Sequence, residues 1–93
     1  MDRNTIKKAV ALKYGDKDAA PRILAAARGY LADRIIQAAE KFDIPLFYSP
    51  EVVEKLVYLD IGQEIPAELY EAVAEIYAFL VKIDAEMEID KHE

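Results

Sequence analysis

Pro21-Arg-Ile-Leu-Ala-Ala-Ala-Arg28 is the stretch on which the fold of this chain turns. A proline at a possible first helical position, followed by strong helix formers, reads as a helix by propensity alone. Gly29 interrupts that helix. Beyond it Leu31, Ile35, Ala38 and Phe42 recur at spacings of four, three and four, which predicts a helix from Tyr30 onward. The segment before the glycine stays open between helix and strand.

Upstream, Ala9-Val-Ala-Leu-Lys-Tyr14 sets Val10, Leu12 and Tyr14 on one face and alanines on the other, as in a central or near-central strand covered on both sides. Gly15-Asp-Lys-Asp18 is polar and turn-prone, and with Ala19-Ala20-Pro21 it reads as a surface connection. Downstream, Ile44-Pro-Leu-Phe-Tyr48 is rich in strand formers, and Pro45 places it at an edge or a strand entry. Ser49-Pro50-Glu51 then opens a helix, with Ser49 as its cap, that ends near Tyr58. After a connection from Leu59 to Ile65, Pro66 starts the last helix, whose core stripe is Leu69, Val73, Ile76, Leu80 and Ile83. The charged tail from Asp84 to Glu93 is either a frayed extension of that helix or disordered.

These elements fit one compact α/β domain, because 93 residues leave no room for a second core. A hydrophobic content of 54% and a charged content of 32% are those of a folded chain. With a formal net charge of −6 the chain repels phosphate backbones, so nucleic acid is not an expected partner. The absence of cysteine excludes disulfides and thiolate metal sites and fits a reducing compartment, the cytoplasm by default. The apolar run Ala9 to Leu12 is too short for a signal-peptide core or a membrane span, so neither is expected.

No residue pattern points to catalysis, a metal or another cofactor. His92 is the only histidine, stands next to last in the chain, and has neither a cysteine nor an ordered carboxylate cluster to accompany it. Ser49, the only serine, is explained as a helix cap and has no histidine to activate it. Glycines occur singly, at 15, 29 and 62, so no phosphate-binding loop is present. Glu68, Glu71 and Glu75 read as a solvated face of the last helix. Tyr30, Tyr48, Tyr58, Tyr70 and Tyr77 lack the interleaved cations of a base-stacking surface. One feature exceeds what a core requires: at about 100° per residue, Tyr70, Ala74, Tyr77 and Val81 form a second apolar stripe on the last helix. Together the two stripes cover roughly 220°, against the roughly 100° that a surface helix buries. The surplus is either covered by a neighbouring helix or exposed for docking.

Ala9-Val-Ala-Leu-Lys-Tyr14, Ala20-Pro21, Ile44-Pro45 and the block from Asp60 through Gly62-Gln-Glu-Ile-Pro-Ala-Glu-Leu-Tyr-Glu-Ala-Val-Ala-Glu75 resemble, in order and spacing, the cytoplasmic domain of FlhB/YscU-type switch proteins of flagellar and type III secretion export. The resemblance runs from about Asn4 to Ile83. It implies a small mixed sheet of about three to four strands flanked by helices, with Arg22 to Ala27 a strand, since tertiary pairing overrides propensity in short segments. The expected division is a domain over residues 1–83 and a charged tail over 84–93.

The family cleaves itself at an Asn-Pro-Thr-His motif. Here Asn4, Thr5, Ile6 and Lys7 stand in its place, and the expectation is that no cleavage occurs and that the chain is not an enzyme. The resemblance further implies an apolar docking patch at Ala20, Pro21, Ala74 and Tyr77, all expected to be exposed. Its implied partners are a membrane-embedded export switch protein, the cytoplasmic domain of the export gate, and export substrates or their chaperones. The alternative reading is a homodimeric scaffold or regulator unconnected with secretion, burying the tyrosine stripe against itself.

Overall fold

The computed structural model describes the backbone of residues 6–91 and the side chains of residues 6–82. Strands β1, Lys8–Lys13, and β2, Arg22–Arg28, pair antiparallel. The stretch before Gly29 is therefore a strand, as the family resemblance implied and propensity did not. The reason lies in the pairing. Ala9 faces Ala27, Val10 faces Ala26 and Ala11 faces Ala25, so the ladder satisfies the backbone groups that a helix would have satisfied internally. A bulge then shifts the register between Ala11 and Leu12, leaving Leu24 without a partner and setting Ile23 opposite Leu12. Leu24 points out, 56% exposed, while Ile23 is buried.

Helix α1, Tyr30–Lys41, follows at once. Gly29 makes the turn at φ 67°, in the left-handed region that glycine enters without a Cβ penalty. The helix ends in a Schellman motif: the Ile44 N–H donates to the Ala39 carbonyl at 2.8 Å and the Asp43 N–H to the Glu40 carbonyl at 3.3 Å, with Asp43 at φ 58°. Helix α2, Pro50–Leu56, a 3₁₀ turn, Ala67–Leu69, and helix α3, Tyr70–Lys91, complete the order.

The two faces of the sheet are packed differently. Val10, Leu12, Ala26 and Ile23 meet Leu56, Ile65, Leu69 and Val73 in the main core. The other face carries Ala9, Ala11, Ala25 and Ala27, and α1 lies on it through the buried Ala32 and Ala39. Methyl groups on both surfaces let the helix backbone approach closely.

Several expectations need correction. Among the described residues the sheet has two strands rather than three to four, and β1 is an outer strand rather than a central one. A third segment only begins to join, through one antiparallel bridge between Arg22 and Glu64. Ile44 to Tyr48 forms no strand. The Schellman motif turns the Ile44 N–H back onto α1, Pro45 has no donor, and no neighbouring strand offers a ladder. Ser49 stands at the α2 N-cap but its hydroxyl makes no capping bond. Of the expected core stripe, Leu69 in the 3₁₀ turn and Val73 on α3 are buried, Ile76 and Leu80 are only half-buried, and the side chain of Ile83 lies outside those described. The last helix continues through most of the charged segment, to Lys91.

Candidate functional site

The β1–β2 connection does not run free over the surface. Ala20 is 2% exposed and Pro21 is also buried, so the expectation that both are exposed is corrected. The cause is the segment at 62–65, which lies antiparallel to the start of β2. The Ile65 N–H donates to the Pro21 carbonyl at 2.9 Å, the Ile23 N–H to the Gln63 carbonyl at 2.9 Å, and the Gly62 N–H to the Ile23 carbonyl at 2.7 Å.

Arg22 locks this arrangement from the side. Its guanidinium donates to Asp18 Oδ1 at 3.3 Å, to the Gly62 carbonyl at 3.0 Å and to Glu64 Oε2 at 3.1 Å. Asp18 Oδ2 in turn accepts the Gly15 N–H at 2.9 Å. That backbone bond, with help from Arg22, holds the Asp18 carboxyl below its ordinary pKa. One arginine thus joins both ends of the β1–β2 connection to the segment that leads into α3.

On α3 the second apolar stripe divides. Tyr70, Ala74 and Val81 are exposed, whereas Tyr77 is half-buried and packs against the main core. The Tyr77 ring tilts against Tyr14, at the end of β1, with centroids 5.8 Å apart and planes at 41°. Burial, and to a smaller degree the neighbouring Tyr14, raises the Tyr77 hydroxyl above the ordinary tyrosine pKa.

Ala20, Pro21, Ala74 and Tyr77 are brought together by these contacts. They line one cleft of about 180 Å³ with Tyr14, Ile65, Tyr70 and Val73. Tyr14, Tyr70 and Ile65 were not foreseen as site residues. Tyr14 and Tyr70 were legible as aromatics on apolar faces, but only the fold shows that those faces meet. The cleft is smaller than the roughly 300 Å³ from which small-molecule pockets begin, and it is lined by methyls, a pyrrolidine and phenol rings. A cleft of that size has room for about one apolar side chain.

Of the positions expected in place of the cleavage motif, Ile6 is exposed, and Lys7 Nζ pairs with Asp33 Oδ1 of α1 at 2.7 Å. Asn4 and Thr5 lie outside the described residues, as does His92. No group of three or more metal-ligating side chains occurs among the described residues. No helix among them is long and apolar enough to cross a membrane.

The chain and its fold are similar to known proteins. The chain is 43% identical to the uncharacterized protein YlqH of Bacillus subtilis over 84 residues, covering 89% of this chain and 90% of YlqH. It is 40% identical over 75 residues to the flagellar biosynthetic protein FlhB of Aquifex aeolicus, covering 78% of this chain but only 21% of that protein. The fold superposes on the crystal structure of the PscU C-terminal domain with a TM-score of 0.74 and 27% identity, covering 78% of this chain and 95% of that one. The model of the FlhB HrpN YscU SpaS family matches residues 3–80. A match over so much of the chain, with the two-stranded sheet and three helices superposing on a solved C-terminal domain, places this chain in the FlhB HrpN YscU SpaS family.

Proposed function

We propose that this chain is a non-catalytic protein-binding module of a flagellar or type III export apparatus, and that it receives a partner's apolar side chain in the cleft between the β1–β2 connection and α3. The observation that carries this reading is the convergence of Ala20, Pro21, Ala74 and Tyr77, from two distant segments, on one apolar cleft. Its partners under this proposal are a membrane-embedded switch protein, the cytoplasmic domain of the export gate, and export substrates or their chaperones. The work is done in the cytoplasm, at the inner face of the membrane, by a domain over residues 1–83 with a charged tail over 84–93. The reading includes no self-cleavage, since Thr5, Ile6 and Lys7 replace the proline, threonine and histidine of the family's motif. An unchanged intact mass after long incubation is expected, and scission between Asn4 and Thr5 would count against it.

Affinity capture from the native cell, followed by binding measurements on the captured export component, tests the proposal. Ala74 is exposed at the cleft while Val73 beside it is buried. Ala74→Asp is expected to weaken binding by about 1–3 kcal/mol, as at a moderate hot spot, with little change in melting temperature. Val73→Asp puts a charge into the core and is expected to unfold the domain. Because Tyr77 also packs against the core, Tyr77→Asp is expected to impair both stability and binding. Undiminished capture of export components by a folded Ala74→Asp chain would remove the cleft from the reading.

A further inference from the structure

The spacing that identified α1 in the sequence belongs to residues that the fold does not bury. Leu31 and Phe42 are 53% and 69% exposed, Ala38 is exposed and Ile35 is half-buried. These four line a shallow trough of about 610 Å³ with Arg34 and Lys41 along its outer side. The trough lies away from the cleft of Tyr14 and Tyr77 and shares none of its residues.

The steps of four, three and four are those of a coiled-coil seam, with Leu31 and Ala38 at d and Ile35 and Phe42 at a. The seam extends about 16 Å, roughly three helical turns. Its flanks are unlike each other. The e positions are Ala32 and Ala39, both buried against the sheet, while the g positions are Arg34 and Lys41. Neither cation pairs with an acid among the described residues, although the chain as a whole carries a net charge of −6.

We infer that this face of α1 is a second docking surface, and that its occupant is an amphipathic helix of another protein with apolar residues at heptad spacing and Asp or Glu along the edge facing Arg34 and Lys41. The charges select this occupant over a second copy. Two antiparallel copies would set g against g, cation against cation. In parallel copies g would face e, and those alanines are already covered by each protomer's own sheet. An anionic membrane is a poor fit for two cations on a body that is acidic overall.

The test uses the full chain and a fluorescent synthetic peptide three heptads long, with Leu at a and d and Glu at e and g. Its comparator carries Lys in place of Glu. The Glu peptide is expected to bind, more weakly as salt rises, and the Lys peptide to bind at least about tenfold more weakly. The double variant Arg34→Glu, Lys41→Glu should reverse that preference with an unchanged melting temperature, since both side chains are exposed. Leu31→Ser should weaken both peptides, and Ala74→Asp neither. Equal binding of the two peptides, no binding of the Glu peptide, or a preference that survives the charge reversal would overturn the inference. So would a dimer in sedimentation, or flotation with phosphatidylserine vesicles, that Leu31→Ser abolishes.

Discussion

Arg22 shows how much of the candidate site depends on one side chain. Its three bonds reach Asp18, Gly62 and Glu64, and with Pro21 next to it in the chain they fix the floor of the cleft. The guanidinium is partly exposed, which limits its ion pairs to modest energies. Arg22→Gln is expected to lower stability by about 1 kcal/mol in urea unfolding at neutral pH. The pH dependence follows from Asp18. Its pKa is depressed in the fold, so its contribution is present above the unfolded carboxylate value and is lost as pH falls through the folded one. The difference between wild type and Arg22→Gln should therefore shrink below the ordinary carboxylate range. A difference that stays constant from neutral to acid pH would mean that the Arg22–Asp18 bond contributes nothing to stability.

At the scale of the elements, the end of α1 is the place where a conformational cost can be read directly. Asp43 occupies the left-handed C′ position of the Schellman motif, where glycine is favoured. Asp43→Gly is expected to raise stability by a few tenths of a kcal/mol to about 1 kcal/mol, measured by thermal unfolding. A decrease would show that the carboxylate has a role the backbone does not reveal. The same helix shows what was legible in the sequence and what was not. Its start at Tyr30 followed from Gly29 and the spacing of Leu31, Ile35, Ala38 and Phe42, whereas its end at Lys41 is set by the Schellman motif. Which face would be buried did not follow, because the sheet surface beneath it is built of alanines and accepts Ala32 and Ala39 in place of Leu31 and Phe42. For β2, local propensity pointed to helix, and only pairing with β1 decides for strand. Ile44 to Tyr48 has strand composition and no partner, so composition misleads there. Ala74 and Tyr77 were legible as part of a second apolar stripe, their grouping with Ala20 and Pro21 only through family resemblance, and the burial of Ala20 and Pro21 depends on bonds to residues 62–65, which no local pattern announces.

The whole molecule presents two incomplete features on one architecture. Among the described residues β1 is hydrogen-bonded along one edge only, to β2, and the apolar segment Ile44 to Tyr48 is exposed at Ile44, Leu46, Phe47 and Tyr48. Phe47 alone has an aromatic partner, meeting Phe79 of α3 edge-on at 5.4 Å. An unpaired strand edge is a template for an added strand, and main-chain bonds supply the affinity of such additions. Under the proposed function the donor is a membrane-embedded switch protein, whose strand ahead of the cleavage site would lie beside β1. Co-expression of this chain with a switch protein truncated at its cleavage site is therefore expected to give a complex that co-purifies and restores export. The position of the contact can be checked independently. Replacing Ala11, in the middle of β1, by proline removes its N–H from the strand and strains the ladder with β2, so it tests strand integrity rather than the outer edge. The better probe is amide hydrogen exchange on the complex. Amides of β1 not bonded to β2 should become protected on binding, while those of α3 around Ala74 and Tyr77 should change little. Protection confined to α3 would move the switch-protein contact to the cleft, and failure to co-purify would leave the β1 edge without its proposed partner.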